Sequence, residues 1–174
     1  ARARANGSRR AYLVWGVGLA AYLVAIFHRF SLGVAGLEAS QRFGISAATL
    51  SMFSVLQLGV YAAMQVPVGV LLDRFGSRRL IASGALLMAA GQGLFALADS
   101  LPLALVARVL IGAGDATTFI SVLRLVALWF PPYRNPVLVQ LTGQIGQLGA
   151  ILSATPLVAA LTHFGWTTTY AAAA

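Results

Sequence analysis

Five apolar stretches, each 19 or more residues long, dominate this sequence. A helix needs about 20 mainly apolar residues to cross a bilayer, whereas a strand of a transmembrane barrel needs only about 10 alternating residues. The stretches are therefore predicted to be membrane-spanning helices, at residues 11–37, 46–72, 80–98, 103–130 and 136–161. A sixth helix begins near Trp166 and is truncated by the end of the sequence. We predict an all-α, polytopic transmembrane helix bundle in a lipid bilayer.

The distribution of charge predicts the orientation of the bundle. Only 9% of the residues are charged, against about 25% in soluble domains, which excludes an ordinary soluble enzyme. Four of the 12 arginines lie in the basic tail at residues 1–10, three between the second and third spans, and one at position 134, whereas the opposite loops hold only Arg42. The positive-inside rule then places the N-terminus in the cytoplasm, with the chain in the plasma (inner) membrane. This topology explains the basic excess without a nucleic-acid partner.

Two matching segments indicate an internal repeat. Pro67 is followed by Phe75 and Gly76, and Pro156 is followed at the same spacing by Phe164 and Gly165, 89 residues further on. Three spans separate the two segments, so two three-helix units would be related by inversion. Inverted repeats are typical of secondary transporters. The alternative is chance, because proline and glycine commonly end helices.

The connection between the second and third spans carries the most specific motif. It reads Gly-Val-Leu-Leu-Asp-Arg-Phe-Gly-Ser-Arg-Arg from position 69 to 79. This pattern resembles the Gly-x-Leu-x-Asp-Arg-x-Gly-Arg-Lys loop of the major facilitator superfamily, and Arg108, Gly112 and Gly114 resemble that family's Arg-x-x-x-Gly-x-Gly pattern in helix four. The positions that match in the loop include the six gating candidates Gly69, Asp73, Arg74, Gly76, Arg78 and Arg79.

The resemblance implies a proton- or ion-coupled transporter of small solutes that works by alternating access. Such proteins have two halves of six helices, so this chain would supply the N-terminal half and would lack the C-terminal six-helix half. The charged loop would then gate the helix ends without touching the substrate. A plain positive-inside turn is the alternative, and it leaves the spacing of Gly69, Asp73 and Gly76 unexplained.

His28 and Arg29 are ionisable residues within the first span, where charge is costly and indicates function. The pair resembles the Asp-Arg pair in helix one of organic-anion:cation symporters of the same superfamily. The resemblance implies that Arg29 binds the anion of the substrate. His28 replaces the aspartate and titrates near neutral pH, so it is a second candidate for proton coupling. The alternative is that both side chains reach out to the membrane interface.

Arg108 and Asp115 lie seven residues apart on one face of the fourth span. We expect them to pair directly or through a neighbouring helix. Asp115 is the only acid deep within a span, which makes it the best candidate for a proton carrier. A buried structural ion pair is the alternative. Arg124, nearer the cytoplasmic end, is predicted to contact the gating loop.

Two rows of neutral polar residues complete the predicted substrate pathway. Because an amide facing lipid would lack hydrogen-bond partners, each row should face the bundle or an aqueous cavity. Hydrogen bonds between helices are the alternative role. The second span supplies Gln57, Tyr61 and Gln65, and the fifth supplies Gln140, Gln144 and Gln147.

The sequence thus predicts a secondary active transporter that moves a small organic anion with protons. No enzyme activity, cofactor or metal is expected, because no span combines a nucleophile with a base and the sequence has no cysteine. A drug or metabolite efflux antiporter of the same superfamily is one alternative. A non-transporting accessory membrane subunit is the other, if the chain truly ends at residue 174.

Overall fold

The structure is a computed structural model that describes residues 9–174, so Arg2 and Arg4 of the basic tail lie outside the described residues. Five α-helices follow one another, with a short 3-10 turn at Pro132–Arg134. They are α1 (Arg9–Val34), α2 (Gly36–Phe43), α3 (Ala47–Leu97), α4 (Leu101–Trp129) and α5 (Asn135–Ala173). No strand occurs in this described part, which confirms the all-α prediction. Within residues 9–174, four segments are long and apolar enough to cross a membrane: α1, α3, α4 and Pro132–Ala173.

A glycine divides the longest helix into two arms. The 51 residues of α3 would extend about 77 Å at about 1.5 Å per residue, far more than the hydrocarbon thickness of about 30 Å. Gly76, with φ 77° and ψ 163°, interrupts α3 between residues 47–75 and 77–97. Arg42, just before α3, donates from Nε to the carbonyl oxygen of Ala98, just after it, at 2.8 Å. Both ends of α3 therefore lie together, and its arms form a hairpin.

The last helix is divided in the same way. Gly165, with φ 75° and ψ 175°, separates residues 135–164 of α5 from residues 166–173. This combination of positive φ and extended ψ is open essentially only to glycine. Gly76 and Gly165 therefore adopt nearly the same backbone conformation, as the predicted internal repeat requires.

Two predicted boundaries are wrong. The first span was expected to reach Leu37, but α1 ends at Val34 and Leu37 belongs to the separate helix α2. The chain turns at Ala35, and α2 then ends at Phe43, followed by Gly44, whose φ of 62° is left-handed. The connection expected between residues 72 and 80 is also helical on both sides of Gly76, because the glycine alone provides the reversal.

Small residues bring the spans together. A Cβ atom on Gly84 of α3 would collide with Thr117 and Gly114 of α4, and one on Gly146 of α5 would collide with the ring of Tyr22 in α1. Helix α4 is the most deeply buried of the four membrane-crossing segments. It therefore forms the centre of the bundle, where the polar residues of α1, α3 and α4 meet.

The bundle has two different ends. The Asp73 end holds the start of α1, the Gly76 break and the end of α4, whereas the Arg42 end holds α2 and the Gly165 break. An aromatic cluster closes the Arg42 end, with the rings of Phe95 and Trp166 5.1 Å apart. Its members are Phe43, Phe53, Phe95, Trp166 and Tyr170.

Candidate substrate site and gate

A cavity of about 340 Å³ opens between α1, α3 and α4. One face of α3 supplies half of its wall, because positions 54, 57, 58 and 61 follow the three- and four-residue spacing of a helix. The lining residues are Arg29, Phe30, Gly33, Ser54, Gln57, Leu58, Tyr61 and Asp115. The cavity thus combines one cation, one acid and three neutral polar side chains.

Arg29 and Asp115 form a bidentate ion pair in the wall of this cavity. Arg29 donates from Nε to Asp115 Oδ2 at 2.7 Å and from Nη2 to Oδ1 at 2.9 Å. The Asp115 side chain is 1% exposed and that of Arg29 is 25% exposed. The Arg29 guanidinium also lies 4.5 Å from the centre of the Tyr61 ring. The fork of Arg29 is therefore held rigidly and already bound to a carboxylate, the group that it binds best.

Arg108 and Asp115 were expected to pair directly or through a neighbouring helix. They form no direct ion pair, so the alternative of a buried structural pair between these two residues is wrong. Arg108 Nη1 instead donates to the carbonyl oxygen of His28 at 3.3 Å and to Gln57 Oε1 at 3.2 Å. Seven residues are two helical turns, about 10 Å along the axis of α4, and Arg108 and Asp115 do not bridge that separation. Asp115 consequently reaches Arg29, while Arg108 reaches the backbone of the preceding residue.

His28 does not line the cavity. Its side chain is buried, with its ring 5.6 Å from that of Phe27, so it does not extend to the membrane interface as the alternative would require. The His28 carbonyl oxygen accepts from Ser31 Oγ at 2.9 Å as well as from Arg108. The structure therefore gives His28 a backbone role beside the cavity, and its part in proton coupling stays a prediction.

The two polar rows have different surroundings. Gln57 and Tyr61 line the cavity, whereas Gln65 donates from Nε2 to the carbonyl oxygen of Tyr61 at 3.0 Å along its own helix. The row of α5 is exposed on the outside of the described chain, at Gln140, Gln144 and Gln147, and its part in the substrate pathway stays a prediction. Helix α5 instead buries small residues such as Gly146 and Gly149, because these allow its close approach to α1.

At the Asp73 end, an ion pair joins α3 to α4. Arg124 Nη1 donates to Asp73 Oδ1 at 2.9 Å, which confirms the predicted contact between Arg124 and the loop motif. Both side chains are open to the surroundings, at 71% for Asp73 and 45% for Arg124. Arg74 stacks on the neighbouring Phe75 ring at 5.3 Å. The remaining basic residues of the motif, Arg78 and Arg79, are exposed.

Sequence reasoning missed Ser54 and Phe95. Ser54 lines the cavity three residues before Gln57, so an extended polar row of Ser54, Gln57 and Tyr61 would have revealed it. Phe95 lies under Arg108, 4.1 Å from the guanidinium carbon to the ring centre, and no sequence signal marks that contact. Residues 9–174 contain no group of three or more histidine, aspartate or glutamate side chains that could hold a metal ion.

Comparison with known proteins identifies the family. Residues 18–174 match the sequence model of the Major Facilitator Superfamily. A Bacillus subtilis protein named "Uncharacterized transporter YybO" is 32% identical over 141 residues, which are 80% of this chain and 32% of that protein. A "Probable galactarate/D-glucarate transporter" of Pseudomonas putida is 31% identical over 109 residues, 59% of this chain and 24% of the relative.

A third relative extends the set of solutes. The "Probable sulfoacetate transporter" of Cupriavidus necator is 23% identical over 155 residues, 89% of this chain and 36% of the relative. The chain thus spans about a third of the length of the Bacillus and Cupriavidus relatives. Its family and its long apolar helices together identify a multi-pass membrane protein. The chain belongs to the major facilitator superfamily.

Proposed function

We propose that this chain is the N-terminal half of a secondary active transporter that moves a small organic anion together with protons by alternating access. The observation that carries the proposal is the Arg29–Asp115 pair in the wall of a cavity. Relatives named for galactarate, D-glucarate and sulfoacetate, all organic anions, support the choice of solute. The family supports a transporter rather than an enzyme.

The ion pair provides a direct route to proton coupling. While Asp115 is ionised, its carboxylate occupies both donors of the Arg29 fork. Protonation of Asp115 removes that negative charge and leaves the guanidinium available to a carboxylate or sulfonate of the solute. Anion and proton then favour each other's binding, and linkage requires that this coupling be reciprocal.

The two ends of the bundle provide a route to alternating access. The cavity lies between the exposed Asp73–Arg124 pair at one end and the aromatic cluster at the other. The pair would lock the Asp73 end and break when that end opens. From the excess of arginine there, we assign the Asp73 end to the cytoplasmic side of the plasma membrane.

The test is solute uptake by the full-length transporter in proteoliposomes under an inward proton gradient. Labelled D-glucarate, tartrate and sulfoacetate are the probes. We expect gradient-driven uptake of at least one of them, and we expect Arg29→Ala to abolish it. Arg10→Ala is the matched control, because Arg10 is exposed at the start of the same helix and should leave uptake unchanged.

Three outcomes would contradict this proposal. Uptake that survives Arg29→Ala would remove Arg29 from the anion site. Proton-driven export of hydrophobic cations in place of anion uptake would favour an efflux antiporter. No flux of any solute would favour an accessory subunit.

A further inference from the structure

Gln57 connects the cavity with a buried cation behind it. Its side chain lines the cavity, although the residue is only 4% exposed. The Oε1 atom accepts a hydrogen bond from Arg108 Nη1 at 3.2 Å, whereas the Nε2 atom is buried and donates to no acceptor within residues 9–174. The two ends of this amide therefore have different partners available to them.

The chemistry of arginine fixes which way this amide points. A guanidinium has only donors, so of the two ends of the Gln57 amide only the oxygen can accept a hydrogen bond from Arg108. Arg108 is fully buried, and it is held by the His28 carbonyl at 3.3 Å and by the Phe95 ring at 4.1 Å. It cannot turn to another partner without leaving these contacts. The amide nitrogen of Gln57 is consequently kept away from Arg108.

We propose that Gln57 donates a hydrogen bond to the transported anion, and that Arg108 is a positioning residue that keeps this donor available. A buried donor without a partner costs free energy, and an oxygen of the solute removes that cost. The inference rests on the proposed transport function and defines the solute more closely. Ser54 and Tyr61 bring two further hydroxyl groups to the same cavity.

This arrangement fits a carboxylate that carries additional acceptor oxygens. Arg29 binds the carboxylate once Asp115 releases it, and Gln57 then meets a second oxygen on the same molecule. A hydroxy acid offers that oxygen as a hydroxyl group next to the bound carboxylate, and an otherwise identical acid without hydroxyl groups has no acceptor at that position. Discrimination between such a pair therefore reports on the Gln57 donor independently of the shared carboxylates.

The test compares tartrate with succinate as inhibitors of D-glucarate uptake by the full-length transporter in proteoliposomes at pH 7. Tartrate is succinate with two hydroxyl groups, and both are dianions, so a ratio of inhibition constants cancels charge effects common to the two. Gln57→Glu keeps an acceptor for Arg108 and removes the amide donor. We expect the preference for tartrate to fall about 2- to 10-fold, the factor that corresponds to one neutral hydrogen bond.

Gln41→Glu is the matched control, because it adds the same charge at an exposed position of α2. It should keep the wild-type ratio. Arg108→Met tests positioning, since the amide is then released to turn its oxygen toward the solute. The double variant Gln57→Leu with Arg108→Met removes both partners together, which avoids an unpaired buried charge.

We expect Gln57→Glu and the double variant to share one reduced ratio, because both remove the amide donor. Arg108→Met should also lower the ratio, because it keeps the donor but no longer holds it in position. A wild-type ratio in Gln57→Glu would overturn the role of Gln57. A wild-type ratio in Arg108→Met, with uptake slowed, would make Arg108 merely structural. Equal inhibition of the wild type by tartrate and succinate would overturn this inference alone, whereas absence of any anion uptake would overturn the proposed function as well.

Discussion

Replacing Asp115 with asparagine should uncouple anion binding from protons. Asparagine has nearly the same shape as aspartate but no charge, so it imitates the protonated carboxyl group permanently. Under the proposed mechanism, the solute displaces Asp115 from two hydrogen bonds of 2.7 and 2.9 Å to Arg29 in the wild type. In Asp115→Asn, the side chain at position 115 competes more weakly with the solute for Arg29 at every pH.

The expected gain in affinity follows from the strength of this contact. A hydrogen bond to a charged group contributes about 1.5–3 kcal/mol, which is about 10- to 150-fold in a binding constant. Because the introduced asparagine would keep one amide oxygen for Arg29, a gain nearer the lower value is expected. Wild-type affinity should fall as pH rises and Asp115 ionises, whereas the affinity of the variant should not change with pH.

The assay is anion exchange by the full-length transporter in proteoliposomes without a proton gradient, measured from pH 5 to 8. Gradient-driven accumulation should be lost in Asp115→Asn while exchange is retained. Asp99→Asn, at an exposed position before α4, is the control. An Asp115→Asn protein whose affinity still depends on pH as in the wild type would refute the reasoning.

Three further variants test the gate and the backbone. Asp73→Arg should slow uptake by repulsion from Arg124, and adding Arg124→Asp should restore the rate. Initial uptake rates of the single and the double variant are the measurement, because an exposed pair contributes only about 0–1 kcal/mol to stability. Gly84→Ala should lower stability by about 1–3 kcal/mol, because its Cβ atom would collide with α4. Gly76→Ala should cost about 1–3 kcal/mol, since its backbone conformation suits only glycine. Gly59→Ala, where a Cβ atom meets open space, is the control in thermal unfolding of the detergent-solubilised protein.

The fold class could be predicted because the apolar runs are long enough to cross a bilayer whatever their neighbours. The reversals could not all be placed. A loop was expected around Gly76. Instead, this single glycine reverses the chain, and the residues on both sides of it remain helical. Helix α2 was missed because residues 38–42 are mostly polar and were expected to form the connection between the first two spans. They belong instead to a separate short helix that follows the turn at Ala35.

The components of the site could be predicted better than their pairing. An acid and several arginines inside spans indicate a functional centre from sequence alone. Which arginine meets Asp115 depends on how α1 and α4 lie against each other, and helical periodicity within one helix does not contain that information. The face of α5 that meets α1 has the same explanation, since it depends on the close approach that Gly146 and Gly149 allow.

The two ends of the bundle should respond differently to their surroundings. Dissolved ions weaken an exposed ion pair, with a screening distance of about 8 Å at physiological ionic strength, and the Asp73–Arg124 contact is of this kind. Stacked rings and the bond from Arg42 to the Ala98 carbonyl carry no opposing charges to be screened. Concentrated salt on one side of the membrane would therefore loosen one closure and spare the other. Under the proposed alternating access, the resting balance between inward- and outward-facing forms would then vary with ionic strength.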